Sequence, residues 1–282
     1  MKNFDSNRFS LALKCQFMVQ FKSWIRLFGI YTLVQLMAGI FFTRVMNNNY
    51  QVWLDNNWPM DVILRTYGQQ VWQSGVFGFV FFCFAMLFGA CYIFKHMRDT
   101  KSRSAYLMWP VSNQEKFGVA LVLNIVWMAV IPIAAFILAD VLRVLLDFLT
   151  GRVIIWAMPD YFKIFVLPIV ERAKAPSWTI ILWVYLLFFY VHSLYVVGGS
   201  LFRKSQFLMT SISILILAYG FGLLCHMIFE WLDVKNGLDV DNNESIGYVI
   251  NIVTMCLTVF HYWLSYKLFT RMQVINNKWL NV

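Results

Sequence analysis

Six long apolar blocks limit this chain to one kind of fold. They run roughly from Trp24 to Phe42, Val76 to Phe94, Gly118 to Leu138, Trp178 to Phe202, Phe207 to Phe229 and Tyr248 to Phe269. A helix needs about 20 mostly apolar residues to cross a bilayer, and each block comes close to that length. Lipid offers a bare peptide group no hydrogen-bond partner, so a crossing segment must satisfy its own backbone. Any one block, taken alone, fits a buried soluble helix equally well. Six of them, with aromatics at their ends, in a chain that is 60% hydrophobic and 13% charged, predict an all-α polytopic membrane protein. The expectation is six transmembrane helices forming a single transmembrane domain over residues 1–282.

The charges give an orientation. The N-terminal segment holds Lys2, Arg8, Lys14, Lys22 and Arg26 against Asp5. The loop after the second block holds Lys95, Arg98, Lys101, Arg103 and Lys116 against Asp99 and Glu115. Arg203 and Lys204 mark the turn after the fourth block, and Lys267, Arg271 and Lys278 mark the tail. Alternate threading puts all four segments on one side. On the other side, Arg44 and Arg65 are matched by Asp55 and Asp61, and the last loop sets five acids, Glu230 to Glu244, against Lys235 alone. The positive-inside rule then places both the N-terminus and the C-terminus in the cytoplasm. The formal charge of +9 needs no nucleic acid, because it collects where an anionic inner leaflet attracts it. The compartment expected is a cytoplasmic (inner) membrane.

Two segments flank this plan. The first twenty residues lack an apolar stretch with a small-residue cleavage site, so no cleaved signal is expected. Phe9, Leu13, Phe17 and Phe21 are spaced for a basic amphipathic helix on the inner face, and a plain cytoplasmic tail is the alternative. Residues 140–177 read as an outer-face interfacial loop that begins by extending the third helix. There Asp140, Arg143 and Asp147 share one helix face, with Arg143 and Asp147 as an i,i+4 pair.

Catalytic motifs are missing. There is no G-x-x-x-x-G-K-[ST], no H-E-x-x-H and no G-x-S-x-G. No enzymatic activity, cofactor or metal is expected. The five cysteines lie in spans or on the cytoplasmic side, so no disulfide is expected either. Ionisable and amide side chains inside spans are the default functional candidates. They are Gln35, Asn124, His192, His226, Glu230, Asn251 and His261. His226 and Glu230, four apart, fit a proton relay, half a metal site or a plain interfacial pair. The histidines fit a relay or an ordinary hydrogen bond between helices.

The stretch before the third block, "AYLMWPVSNQEKFGVALVL", sets a polar knot at the door of a span. Pro110 disfavours helix at Trp109. Ser112 and Glu115 have the capping-box spacing, and an acid in the first turn suits the helix dipole. Helix three is therefore expected to start within a residue or two of Ser112.

"YLMWPVSNQEKFGVAL" resembles the "LPAS-x-x-EKF" stretch of Bacteroidetes-type membrane proteins described as ABC-2-type transporter permease-like. "VVGGSLFRKSQFLMTSI" resembles a second stretch of the same family, a glycine-containing helix end, a basic turn and F-x-x-T. This chain carries Trp109-Pro110-Val111 where Leu-Pro-Ala is usual. The resemblance implies an export-type permease subunit, paired as a homodimer or heterodimer in the lipid bilayer. It also implies a separate ATP-binding cassette ATPase, coupled through the loop from His96 to Lys116. The residues it points to are Arg98, Lys101, Arg103, Tyr106, Trp109, Glu115 and Lys116. Two rivals remain, a non-transporting membrane scaffold or regulatory subunit and an intramembrane enzyme.

Overall fold

The computed structural model describes residues 4–45, 50–94, 100–166, 178–202, 204–231 and 244–271. It is helical throughout, with no strand among the described residues. The helices are α1 (Ser6–Ile40), α2 (Tyr50–Asp55), α3 (Met60–Cys91), α4 (Thr100–Leu107), α5 (Asn113–Leu149), α6 (Met158–Val166), α7 (Trp178–Leu201), α8 (Gln206–Trp231) and α9 (Glu244–Arg271). A π-helical turn, Phe41–Val45, finishes α1.

Among the described residues, five helices are long and apolar enough to cross a membrane: Ser6–Val45, Met60–Cys91, Asn113–Leu149, Trp178–Leu201 and Gly247–Arg271. The chain is thus a multi-pass helical membrane protein. The fifth apolar block lies in α8, whose describable apolar stretch, Gln206–Gly220, is shorter than the other five.

Helix ends follow their local chemistry. Asp5 caps α1, its Oδ1 accepting from the backbone N–H of Asn7 at 2.9 Å. At α5 the capping box closes both ways. Glu115 Oε2 accepts from the Ser112 N–H at 2.8 Å, and Ser112 Oγ accepts from the Glu115 N–H at 3.3 Å. Helix α5 accordingly begins at Asn113, and Pro110 stays outside it. At its far end Gly151 takes φ +67°, while Arg152 N–H reaches the Asp147 carbonyl and Gly151 N–H the Phe148 carbonyl. That is a Schellman ending, and glycine is the residue that adopts it without strain.

Two helices are longer than their apolar blocks. The amphipathic N-terminal stretch is no separate helix, because α1 runs unbroken from Ser6 to Ile40. Helix α3 starts at Met60, some sixteen residues before the apolar block at Val76, so much of the expected loop is helical. The extension of the third helix is present, with α5 continuing through Asp140, Arg143 and Asp147 to Leu149. Of the expected interfacial segment, Met158–Val166 is helix α6, and residues 167–177 lie outside the described residues.

The chain divides into two compact units. One comprises Met1–Lys14, Leu87–Asn124 and Lys174–Val282, the other Cys15–Met86 and Ile125–Ala173. The first unit has an aromatic core in which Phe94 stacks on Phe269 at 4.9 Å and lies 5.8 Å from Phe117. There Gly199 lies against the Cys91 backbone and Gly198 against the Thr210 side chain, so both need to lack a Cβ. In the second unit α1 and α5 run side by side in the same direction, Trp24 stacking on Trp127 at 4.7 Å. Phe136 of α5 stacks on Tyr161 of α6 at 4.3 Å, over Gly78 of α3.

Candidate functional site

The densest chemistry in the second unit is a buried ionic junction. The shared face of Asp140, Arg143 and Asp147 turns inward, with the three residues only 4%, 1% and 0% exposed. A buried charge is tolerated when every lone pair and proton is met. Here the Arg143 Nε and Nη2 donate to Asp140 Oδ1 at 3.1 and 2.7 Å, and Nη1 donates to Asp147 Oδ2 at 2.9 Å. Nη2 also reaches the Ile155 carbonyl at 2.6 Å. The other oxygen of Asp140 accepts two backbone N–H groups, Ala157 and Met158, both at 3.0 Å. These lie at the start of α6, where the helix dipole favours an anion. Asp147 takes a second cation, Arg44 Nη2 at 3.0 Å, and the Tyr67 hydroxyl at 2.7 Å.

The junction therefore balances two carboxylates with two guanidinium groups. It ties the end of α1, the start of α3, α5 and the start of α6. Arg152 adds a brace, donating to the Thr43 carbonyl at 2.9 Å and lying over the Tyr50 ring. Spacing along α5 pointed to the triad. Arg44, Tyr67 and Arg152 carried no such signal, since they come from other segments.

The first unit holds its polar groups differently. Along α7 and α9 runs a neutral seam. His192 Nδ1 lies 2.8 Å from the Tyr262 hydroxyl, and His261 Nδ1 lies 3.3 Å from the Ser193 hydroxyl. Ser200 and Ser265 pair at 2.6 Å, and Asn251 Nδ2 donates to the Thr179 carbonyl at 3.0 Å. His192 is buried and His261 half-buried. Ser193, Tyr262 and Ser265 are seam members that composition did not single out, because hydroxyls are common in transmembrane helices.

The remaining intramembrane candidates do not join one site. Asn124 Nδ2 donates to the Gly89 carbonyl at 3.0 Å in the first unit. Gln35 is buried in the second unit with its Nε2 unpartnered, as is Gln70 Nε2 of α3. His226 is exposed on α8, and the Glu230 side chain lies outside the described residues. Among the described residues no group of three or more His, Cys, Asp or Glu is placed to hold a metal ion.

The knot before α5 has a second task that its capping spacing concealed. Glu115 is fully buried, and its Oε1 accepts the Asp5 backbone N–H at 2.7 Å and Arg8 Nη2 at 3.0 Å. One carboxylate thus finishes α5 and ties down the start of α1, with Phe9 packed over Gly118. Around it, Arg103 and Lys116 are buried. Tyr106 is half-buried, its hydroxyl donating to the Lys116 carbonyl at 3.3 Å and its ring edge-on to Phe269. Trp109, also half-buried, packs on Tyr106. The outward-facing residues are Ala105, Met108 and Pro110, with Met108 78% exposed. Arg98 and the Lys101 side chain lie outside the described residues.

Comparison with known proteins adds no relative: no family model, no curated protein and no solved structure matches this chain.

Proposed function

We propose that the chain is the membrane-spanning permease subunit of an export-like ABC-type transporter. It threads the bilayer six times with both ends cytoplasmic, pairs with a second permease subunit, and works with a separate ATPase at the inner membrane of a bacterium. The observation that carries this reading is the seat of α4. This short helix lies in the most basic interhelical loop, and its Tyr106 is wedged against Phe269 at the end of α9 and the Lys116 carbonyl at the start of α5. A force applied to α4 passes through that wedge to two long helices. The side of the segment left open, Ala105, Met108 and Pro110, is small and apolar, as a helix-in-groove contact requires. The resemblance in "WPVSNQEKF" supports the same assignment.

The reading places partner contact on Met108 and transmission on Tyr106. Met108→Arg should remove co-purification of a nucleotide-binding subunit while the protein inserts and folds as before. Tyr106→Phe should leave co-purification intact. Failure to recover any ATPase with the wild-type chain overturns the permease reading and leaves the scaffold or regulatory subunit in its place.

A further inference from the structure

We propose that the second unit carries a binding site for an anionic glycerophospholipid, with one acyl chain in the groove between α1 and α5 and the headgroup at Lys22 and Arg26. The groove is open on one side and holds about 170 Å³. Phe21, Trp24, Ile25 and Phe28 of α1 line it against Trp127 and Ala134 of α5. Phe21 to Phe28 is seven residues, so the groove runs about 10 Å along the helix. That length matches a stretch of extended hydrocarbon chain of about eight methylenes, about 1.25 Å each.

The lining is aromatic and aliphatic, so it has nothing to offer a polar ligand. The stacked Trp24 and Trp127 rings form one wall, with Phe17 packed against both. Tryptophans favour the headgroup level of a bilayer, which sets the depth of the groove near a membrane surface. Lys22 and Arg26 mark the same level. Both are exposed on the flank of α1, one turn apart. Arg26 folds back along the helix, its Nε donating to the Lys22 carbonyl at 3.4 Å. A guanidinium that turns back toward the helix start is snorkelling out of the hydrocarbon. Neither cation has an acidic partner among the described residues.

Chemistry at the headgroup must supply the selectivity. A tail gains little by leaving other tails for an apolar groove, because both environments are hydrocarbon. Two unpaired cations within a turn, at headgroup depth, favour a phosphodiester whose charge is not cancelled by a choline or ethanolamine.

The test uses the full chain in phosphatidylcholine bilayers with a trace of lipid bearing a photoactivatable group on its acyl chain. The same labelled chain is supplied on phosphatidylglycerol or on phosphatidylcholine, and adducts are mapped by mass spectrometry. Phosphatidylglycerol is expected to label the peptide containing Trp127 and Ala134 several-fold more than phosphatidylcholine. Lys22→Gln with Arg26→Gln should bring the two to equal labelling, and Ala134→Phe should remove the adduct for both. Equal labelling in the wild type, a preference that survives loss of both cations, or an adduct that survives Ala134→Phe overturns the site. The cation variants alter only exposed positions, so the headgroup result stands even if the filled groove perturbs folding.

Discussion

The two units solve one problem by different means. Each must hold polar side chains inside an apolar solvent. The second unit uses full charges, Asp140, Arg143, Asp147 and Arg44, and surrounds them with at least eight hydrogen bonds. Along α7 and α9 the first uses imidazoles, hydroxyls and an amide in pairwise hydrogen bonds, brings its helices together with glycine at Gly198 and Gly199, and keeps a part-buried ion pair, Glu115 with Arg8, at the start of α5. A charge network is strong only while complete, since each remaining ion becomes an uncompensated buried charge when one is lost. A neutral seam degrades by small steps, because each hydrogen bond between membrane helices contributes little by itself.

The largest difference should therefore appear on removing Arg143. Arg143→Met leaves Asp140 without its cation and Asp147 with Arg44 alone. We expect a loss of about 3–5 kcal/mol, read as unfolding in detergent micelles. Adding Asp140→Asn and Asp147→Asn to that variant should return part of the loss. A single variant as stable as the wild type would mean that the junction is not held by its charges. Next comes Gly199→Ala, where the new methyl meets the Cys91 backbone, which cannot rotate away. Overpacking there should cost about 1–3 kcal/mol, and an unchanged melting temperature would show that α3 and α7 are free to part. The smallest effect belongs to the seam. Tyr262→Phe removes the partner of His192 and should cost about 0.6 kcal/mol. A loss as large as that of Arg143→Met would erase the distinction between the junction and the seam.

The sequence discloses whatever is written within one helix. The i, i+3, i+7 spacing of Asp140, Arg143 and Asp147 announced a common face, and Ser112 with Glu115 announced a helix start. Both are local geometry, fixed by 3.6 residues per turn. Partners supplied from elsewhere had no such signature. Glu115 reads as a cap, and its hold on Asp5 and Arg8 spans more than a hundred residues. The span from Ser6 to Val45 was underestimated for a related reason. The apolar count starts only after Lys22, although an exposed flank carries Lys22 and Arg26 without breaking the helix. Tyr106 and Trp109 stand in the sequence only as members of the loop from His96 to Lys116, with nothing local to say which way they face. Phe269, which draws Tyr106 inward, lies at the opposite end of the chain.

The ionic junction also sets an order of events during synthesis. Arg44 and Tyr67 are made 103 and 80 residues before Asp147. When the first two apolar segments enter the bilayer, their guanidinium and hydroxyl have no carboxylate to meet. Parallel neighbours such as α1 and α5 cannot form as a local hairpin, so this pairing is slow by its topology. Until residue 147 has been added, water is the partner that offsets the Arg44 charge at least cost. A nascent chain arrested just short of Asp140 would present Arg44 at the end of α1 and Tyr67 in α3, each without the carboxylate it meets in the folded chain.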